Sequence, residues 1–244
     1  MKEFARYTAS SGSFRYHYIL KWELVKQYTQ NNYSRIKLQA SILVEGANNI
    51  SWSRGSAALH SNSFGLATSY PRGETVVYST EINVSHNSQG KGSITISGSI
   101  STTFLMNGSC QGTITLPNID RTAPTVKLSL NEATENGASF KWEANTAVGS
   151  LQGRLNGGSW QNISGSPFKI SNLQEDTEYT YQIRAQKTSN NVYGQSNVVT
   201  FKTLPGTFAE VSINGLPFKK SDVYMITSAT TKKLTKDEYQ IIVG

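Results

Sequence analysis

The sequence predicts an all-β protein: an N-terminal antiparallel β-sandwich of jelly-roll-like type, a second sandwich, and a short C-terminal β segment. Three observations predict it. Apolar residues recur at spacing two over long stretches, the period of a half-buried strand. Asn-Gly pairs at 107–108, 136–137, 156–157 and 214–215 supply the positive φ angles that tight hairpin turns demand. No long stretch carries the 3.6-residue period of a helix.

Taken in order, the first element is the run Phe14, Tyr16, Tyr18, Leu20, Trp22, Leu24, set against Arg15, His17, Lys21 and Glu23 on the other parity. The polar loop TQNNYS follows, and alternation resumes with Ile36, Leu38, Ala40, Ile42 and Val44, so the two strands form a hairpin. Further strands are expected at Thr75 to Val84, at Ser93 to Phe104 through Ile94, Ile96, Ile100 and Phe104, and at 112–116. HNSQGKG at 86–92 lacks the GxxxxGK[ST] spacing of a phosphate-binding loop and precedes a strand, so it reads as a turn, with His86 bracing it through backbone hydrogen bonds. LPNIDRTAPT at 116–125 has two prolines and no periodicity, as an exposed linker would.

Beyond the linker, short strands are expected at TVKLSL (125–130) and SFKWEA (139–144), then in PFKISNL, LQEDTEYTYQIRAQ and SNVVTFKTLPG. The domains are 1–120, 124–205 and a segment 207–244 too short to bury its own core. In that segment VSINGLPF reads as a hairpin, Tyr224 to Ile226 and Tyr239 to Val243 as strands, and Thr235 as the cap of a helical turn over Lys236 to Tyr239.

The 244 residues are 16% charged and 37% hydrophobic, a balance that excludes a disordered tail and a coiled coil. No stretch approaches the 18 or so apolar residues of a membrane helix, and MKEFARYTASSGSF has no apolar signal core, so a soluble chain made in the cytoplasm is expected. Cys110 is the single cysteine, with no basic neighbours in NGSCQGT to activate it, and reads as a small hydrophobe. Net charge is +7, with eleven basic and six acidic residues in 1–123, seven and six in 124–206, and five and four in 207–244. The basic residues are scattered, which argues against nucleic acid; anionic wall polymers remain a candidate partner.

His17, His60 and His86 lie far apart without ligand spacing, so no metal and no cofactor are expected. Glu23 and Glu81 occupy polar parities and could face one another, but nothing sets them at glycosidase spacing, and no G-x-S-x-G elbow is present. No catalytic residue is assigned. Glycan binding requires an exposed aromatic flanked by amides and charges. Trp52 beside Asn49 and Arg54, Tyr70 in TSYPRG, and Trp160 in NGGSWQN are the candidates, with core burial the competing reading of each aromatic ring. Trp22, on the apolar parity, is assigned to the core.

Pro124 to Pro205 resembles a fibronectin type III domain. Trp142 falls where that family keeps its strand-B tryptophan, and Leu173, Thr177, Tyr179, Ile183 and Ala185 match its L-x-x-x-T-x-Y-x-x-x-V-x-A signature. The resemblance implies that Tyr179 is a tyrosine corner, its hydroxyl bonded to the backbone. Glu175-Asp176 stands where Pro-Gly is usual, and there is no Arg-Gly-Asp motif.

Residues 1–122 resemble the minor structural proteins of tailed phages of Gram-positive bacteria, on QNNYSRIKLQASILV, VSHNSQGKGSITISGSIS and GTITLPNIDR. This implies a virion protein of the tail or baseplate, synthesised in the host cytoplasm and homo-oligomeric; the missing catalytic signatures set the expectation that it is non-catalytic. Its expected partners are other virion proteins and a host cell-surface polysaccharide; the alternatives are a purely structural scaffold and, behind it, a wall-polysaccharide hydrolase.

Overall fold

The computed structural model describes residues 1–206 in full and, beyond them, the backbone of strands 207–213, 216–219, 224–226 and 231–233. The chain divides into two compact units, Met1–Thr122 and Ala123–Gly244, and the described residues are all-β.

Unit 1 contains β1 (Lys2–Ser11), β2 (Phe14–Tyr28), β3 (Tyr33–Ser51), β4 (Gly55–Leu59), β5 (Asn62–Gly65), β6 (Ser69–Ser85), β7 (Ser93–Thr102) and β8 (Asn107–Thr115). They form two antiparallel four-stranded sheets, ordered β1-β2-β3-β6 and β5-β4-β7-β8. The chain passes between the sheets after β3, β5 and β6. Ile36, Leu38, Ala40, Ile42 and Val44 line the inner face of β3 and meet Leu59, Ile96, Ile100 and Ile114 of the other sheet, all buried. At about 1.5–3 kcal/mol for each fully buried large aliphatic, this face is the main source of the unit's stability.

β1, β4 and β5 were not expected from the sequence. Phe104, expected to end the β7 alternation, lies beyond the strand and is 53% exposed. Asn107-Gly108 is not a turn. Both residues are in β8, opposite Ser101 and Ile100, and the positive φ of the β7–β8 connection belongs to Leu105. Gly108 is glycine because Tyr7 of β1 lies against it: a Cβ there would stand 2.1 Å from the tyrosine ring. Asn136-Gly137 turns the chain without positive φ, whereas Asn156 and Gly157 adopt it at 50° and 70°; Asn214-Gly215 lies outside the described residues.

The segment expected to be an exposed linker is docked at its start. Leu116 and Ile119 are buried, and the Ile119 N–H donates to the Gly90 carbonyl at 2.9 Å. Gly90 has φ +78°, and a Cβ on it would come within 1.8 Å of the Ile119 oxygen, so only glycine fits where turn and segment meet.

Unit 2 contains β9 (Val126–Ala133), β10 (Ala138–Ala144), β11 (Val148–Leu155), β12 (Gln161–Asn162), β13 (Phe168–Ile170), β14 (Glu178–Lys187), β15 (Tyr193–Gln195) and β16 (Val199–Lys202). One sheet is β13-β10-β9; the other is β12-β11-β14-β15, with β16 also paired to β14. This is the fibronectin type III arrangement. Its core is aromatic: Phe140 stacks on Phe168 and Tyr181 at 5.6 and 5.0 Å and meets Phe201 edge-on at 5.4 Å. Tyr179 is a tyrosine corner, its Oη accepting the Gln174 N–H at 2.9 Å. Asp176, where the family has glycine, takes the left-handed conformation itself at φ 50°.

In the C-terminal segment β17 (Thr207–Ile213) pairs with β18 (Leu216–Lys219), and β19 (Tyr224–Ile226) with β20 (Thr231–Lys233). The helical turn expected after Thr235 and the strand expected at Tyr239 to Val243 lie outside the described residues.

Candidate binding surface

Two of the three aromatic candidates are not available to a ligand. Trp52 and Tyr70 are each 6% exposed and pack on one another at 5.4 Å in the core of unit 1. The register explains this correction. Ile50 of β3 faces Tyr70 of β6, and Trp52 continues the inward parity of Ile50, so both rings close one end of the sandwich. The Tyr70 hydroxyl accepts the Ala67 N–H at 2.9 Å, and burial pushes its pKa up. Asn49 and Arg54 are exposed. Arg54 borders a groove of about 250 Å³ with Gly55, Ser56, Ser101, Thr102 and Thr103. The groove is tied together by the Thr103 hydroxyl, which accepts the Ser53 N–H at 3.1 Å.

The assigned structural residues take core positions: Trp22 is half-buried on the unit 1 core, and Trp142 on that of unit 2, its indole N–H donating to the Gly165 carbonyl at 2.8 Å. His86 is buried and does brace its turn, with Nδ1 2.7 Å from the Gly90 carbonyl and Nε2 2.8 Å from the Ser34 hydroxyl. Asn87 completes that turn, its side-chain oxygen accepting the Gln89 and Lys91 N–H groups. His17 is also buried, between Thr8 and Glu45 at 2.8 and 3.1 Å, while His60 is exposed. No group of three metal-ligating side chains occurs among the described residues.

Glu23 and Glu81 share one sheet face but do not face each other across a cleft. Both pair in register with Lys37 of the strand between them, which makes a Glu-Lys-Glu row. Burial raises the Cys110 pKa to about 11, so at neutral pH it is a thiol and a poor nucleophile.

Trp160 remains, and the structure gives it company that the sequence reading missed. It is half-buried beside the outer face of sheet β12-β11-β14-β15. The Arg154 and Arg184 guanidinium carbons lie 4.5 and 4.7 Å from its ring centroid, and Arg184 is also 4.6 Å from the Tyr193 centroid. The order Arg154, Trp160, Arg184, Tyr193 is a ladder of alternating cation and ring. On β14, Tyr181, Ile183 and Ala185 point inward, which leaves Gln182 and Arg184 outside. Pairing sets Gln152 opposite Arg184 and Arg154 opposite Gln182. Gln182 accepts from Arg154 Nε and Nη2 at 3.1 and 2.6 Å, and Gln152 accepts from Arg184 Nε at 2.8 Å. Each glutamine is anchored in turn, Gln182 donating to the Ser196 carbonyl and Gln152 to the Asn162 side chain. The outward parity of β14 was the available signal: Gln and Arg alternate there opposite the core residues.

No family model matches the chain. Chitinase A1 of Niallia circulans is 28% identical over 126 residues, half of this chain, and the chain spans 18% of that protein's length. Among solved structures, the β-1,2-glucanase of Parabacteroides distasonis covers 84% of this chain and is itself covered to 37%, at 10% identity and a TM-score of 0.28. The FN1–FN3 domains of chicken CNTN1 cover 84%, with 96% of that chain covered, at 10% identity and a TM-score of 0.31. A two-domain fibronectin type III segment of chicken tenascin covers 75%, with 98% of that chain covered, at 17% identity and a TM-score of 0.28.

Proposed function

We propose that the chain is a non-catalytic component of a phage tail or baseplate that attaches to a cell-surface polysaccharide, and that repeated copies on a homo-oligomeric particle multiply weak single sites. The observation that carries the attachment reading is the outer face of sheet β12-β11-β14-β15. There two arginines, two aromatic rings and a set of side-chain amides stand on a rigid sheet, with the polar groups oriented by a second layer of hydrogen bonds. The motif resemblance of residues 1–122 supports the virion setting. The partial likeness to a chitinase is consistent with a chain that works near polysaccharide.

Adsorption of the fluorescently labelled full chain to a panel of Gram-positive cells, with and without chemical stripping of wall polysaccharide, tests this. Binding that disappears on stripping is the expected result. Absence of binding to every strain overturns the attachment reading in favour of a virion scaffold, and release of reducing sugar from purified walls overturns the non-catalytic one.

A further inference from the structure

We infer that the arginine–tryptophan ladder of unit 2 binds a phosphodiester-linked polyol or sugar polymer, the two guanidiniums taking successive phosphates and the surrounding amides taking hydroxyls. This rests on the attachment reading and names its ligand class.

Charge is the first argument. The acceptors that hold Arg154 and Arg184 are the neutral carbonyls of Gln182 and Gln152, so both arginines are ordered without being neutralised. No carboxylate among the described residues forms an ion pair with either. On the outward parity of β14 the nearest acid is Glu178, near the start of the strand, where Lys202 pairs opposite it. Arg154 Nη1 and both Nη atoms of Arg184 have no acceptor among the described residues, so each arginine retains donors for a non-bridging phosphate oxygen.

Spacing is the second. Both guanidinium carbons lie within 5 Å of one indole centroid, so the two charges are no more than about 10 Å apart, within reach of neighbouring phosphates on a polyol phosphate chain. The third argument separates this polymer from a single-stranded nucleic acid. Nucleic-acid binders stack bases on free aromatic faces, but here the Trp160 ring is engaged by guanidiniums and serves to order them. The groups beside the ladder that do not hold its arginines, Asn162, Gln186 and Gln195, are amides, the natural partners of polyol hydroxyls.

The test measures binding of the full chain to four immobilised polymers: poly(glycerol phosphate) teichoic acid, hyaluronate, neutral dextran and single-stranded oligodeoxythymidine. The teichoic acid is expected to bind best, to weaken at least tenfold between about 0.05 and 0.5 M salt, and to weaken at least tenfold in R154Q/R184Q. R154K/R184K, which keeps the charge and loses the fork, should fall between. Far-ultraviolet circular dichroism identical to the parent shows that the variants fold. If R154Q/R184Q folds and binds teichoic acid as the parent does, or if hyaluronate, dextran or the oligonucleotide binds as tightly, the inference is overturned. If the chain still adsorbs to cells through stripping-sensitive polysaccharide in that event, the attachment reading survives and only the ladder's ligand is wrong.

Discussion

The two sandwiches handle charge in opposite ways. Residues 1–123 carry the larger basic excess, and on the β1-β2-β3-β6 sheet several of their basic side chains are set beside carboxylates. Glu3 grips Arg6 through two hydrogen bonds, Lys21 meets both oxygens of Glu74, and Lys37 lies between Glu23 and Glu81. Residues 124–206 are close to neutral in sum, yet present two arginines held only by amides and rings. Net charge therefore does not by itself locate a built anion site; what sets unit 2 apart is that two arginines held by neutral amides share one indole ring.

The cores differ as well. Unit 1 spreads its burial along three strands of 15, 19 and 17 residues with mainly aliphatic side chains, whereas unit 2 concentrates it in one aromatic cluster around Phe140. Phe140→Ala should sharpen that contrast most, costing about 3–5 kcal/mol of unit 2 stability in chemical denaturation. Ile42→Val, at one site among many in unit 1, should cost only about 0.5–1.5 kcal/mol. Equal losses would break the comparison. Next in size, Gly90→Ala should destabilise unit 1 by about 1–3 kcal/mol from backbone strain, because it demands a left-handed conformation and meets the Ile119 carbonyl. His86→Ala should cost a similar or smaller amount, about 1–3 kcal/mol, by leaving the Gly90 carbonyl and the Ser34 hydroxyl without their imidazole partner.

The smallest expected effect is electrostatic. The hydrogen bonds from Lys21 hold the Glu74 carboxyl below its ordinary range, outweighing partial burial, which acts the other way. A depressed folded-state pKa contributes stability that is fully present above the unfolded value, near 4.3, and is lost as pH falls through the folded value. Unit 1 should therefore lose less than about 1 kcal/mol from this pair on acidification below about pH 4, given its partial exposure. In Glu74→Gln the denaturation midpoint should lack that component of the acid dependence. An unchanged acid profile in the variant would show that the pairing on this sheet does not affect stability.

What the sequence revealed depended on how much side-chain contrast each element carries. β2, β3 and β7 were legible because large apolar residues alternate with polar ones. β1 was not, since its buried positions are the small Ala5 and Ala9, whose alternation is faint. For Trp52 and Tyr70 the polar neighbours in sequence leave platform and core both open, and the β3–β6 register decides for the core by turning both inward. In unit 2 the family signature located the core through Tyr179, Ile183 and Ala185. The residues between them, Gln182 and Arg184, became informative only once β11 supplied Gln152 and Arg154 alongside. The alternation in β14 marks the outer face, but the partners of a ladder built across strands appear only with the register.

The central place of β3 in its sheet also bears on how the molecule breathes. β3 is flanked on both sides, and so is β14, so their amides should be the last to exchange with deuterium in their respective units. Yet β3 pairs with β6 only as far as Val44 and again from Asn49, and its pairing with β2 ends at Glu45. Between these points the backbone lacks ladder partners, so within β3 isotope labelling should begin there, in the C-terminal third of the longest strand among the described residues. The strand is continuous in shape and divided in time.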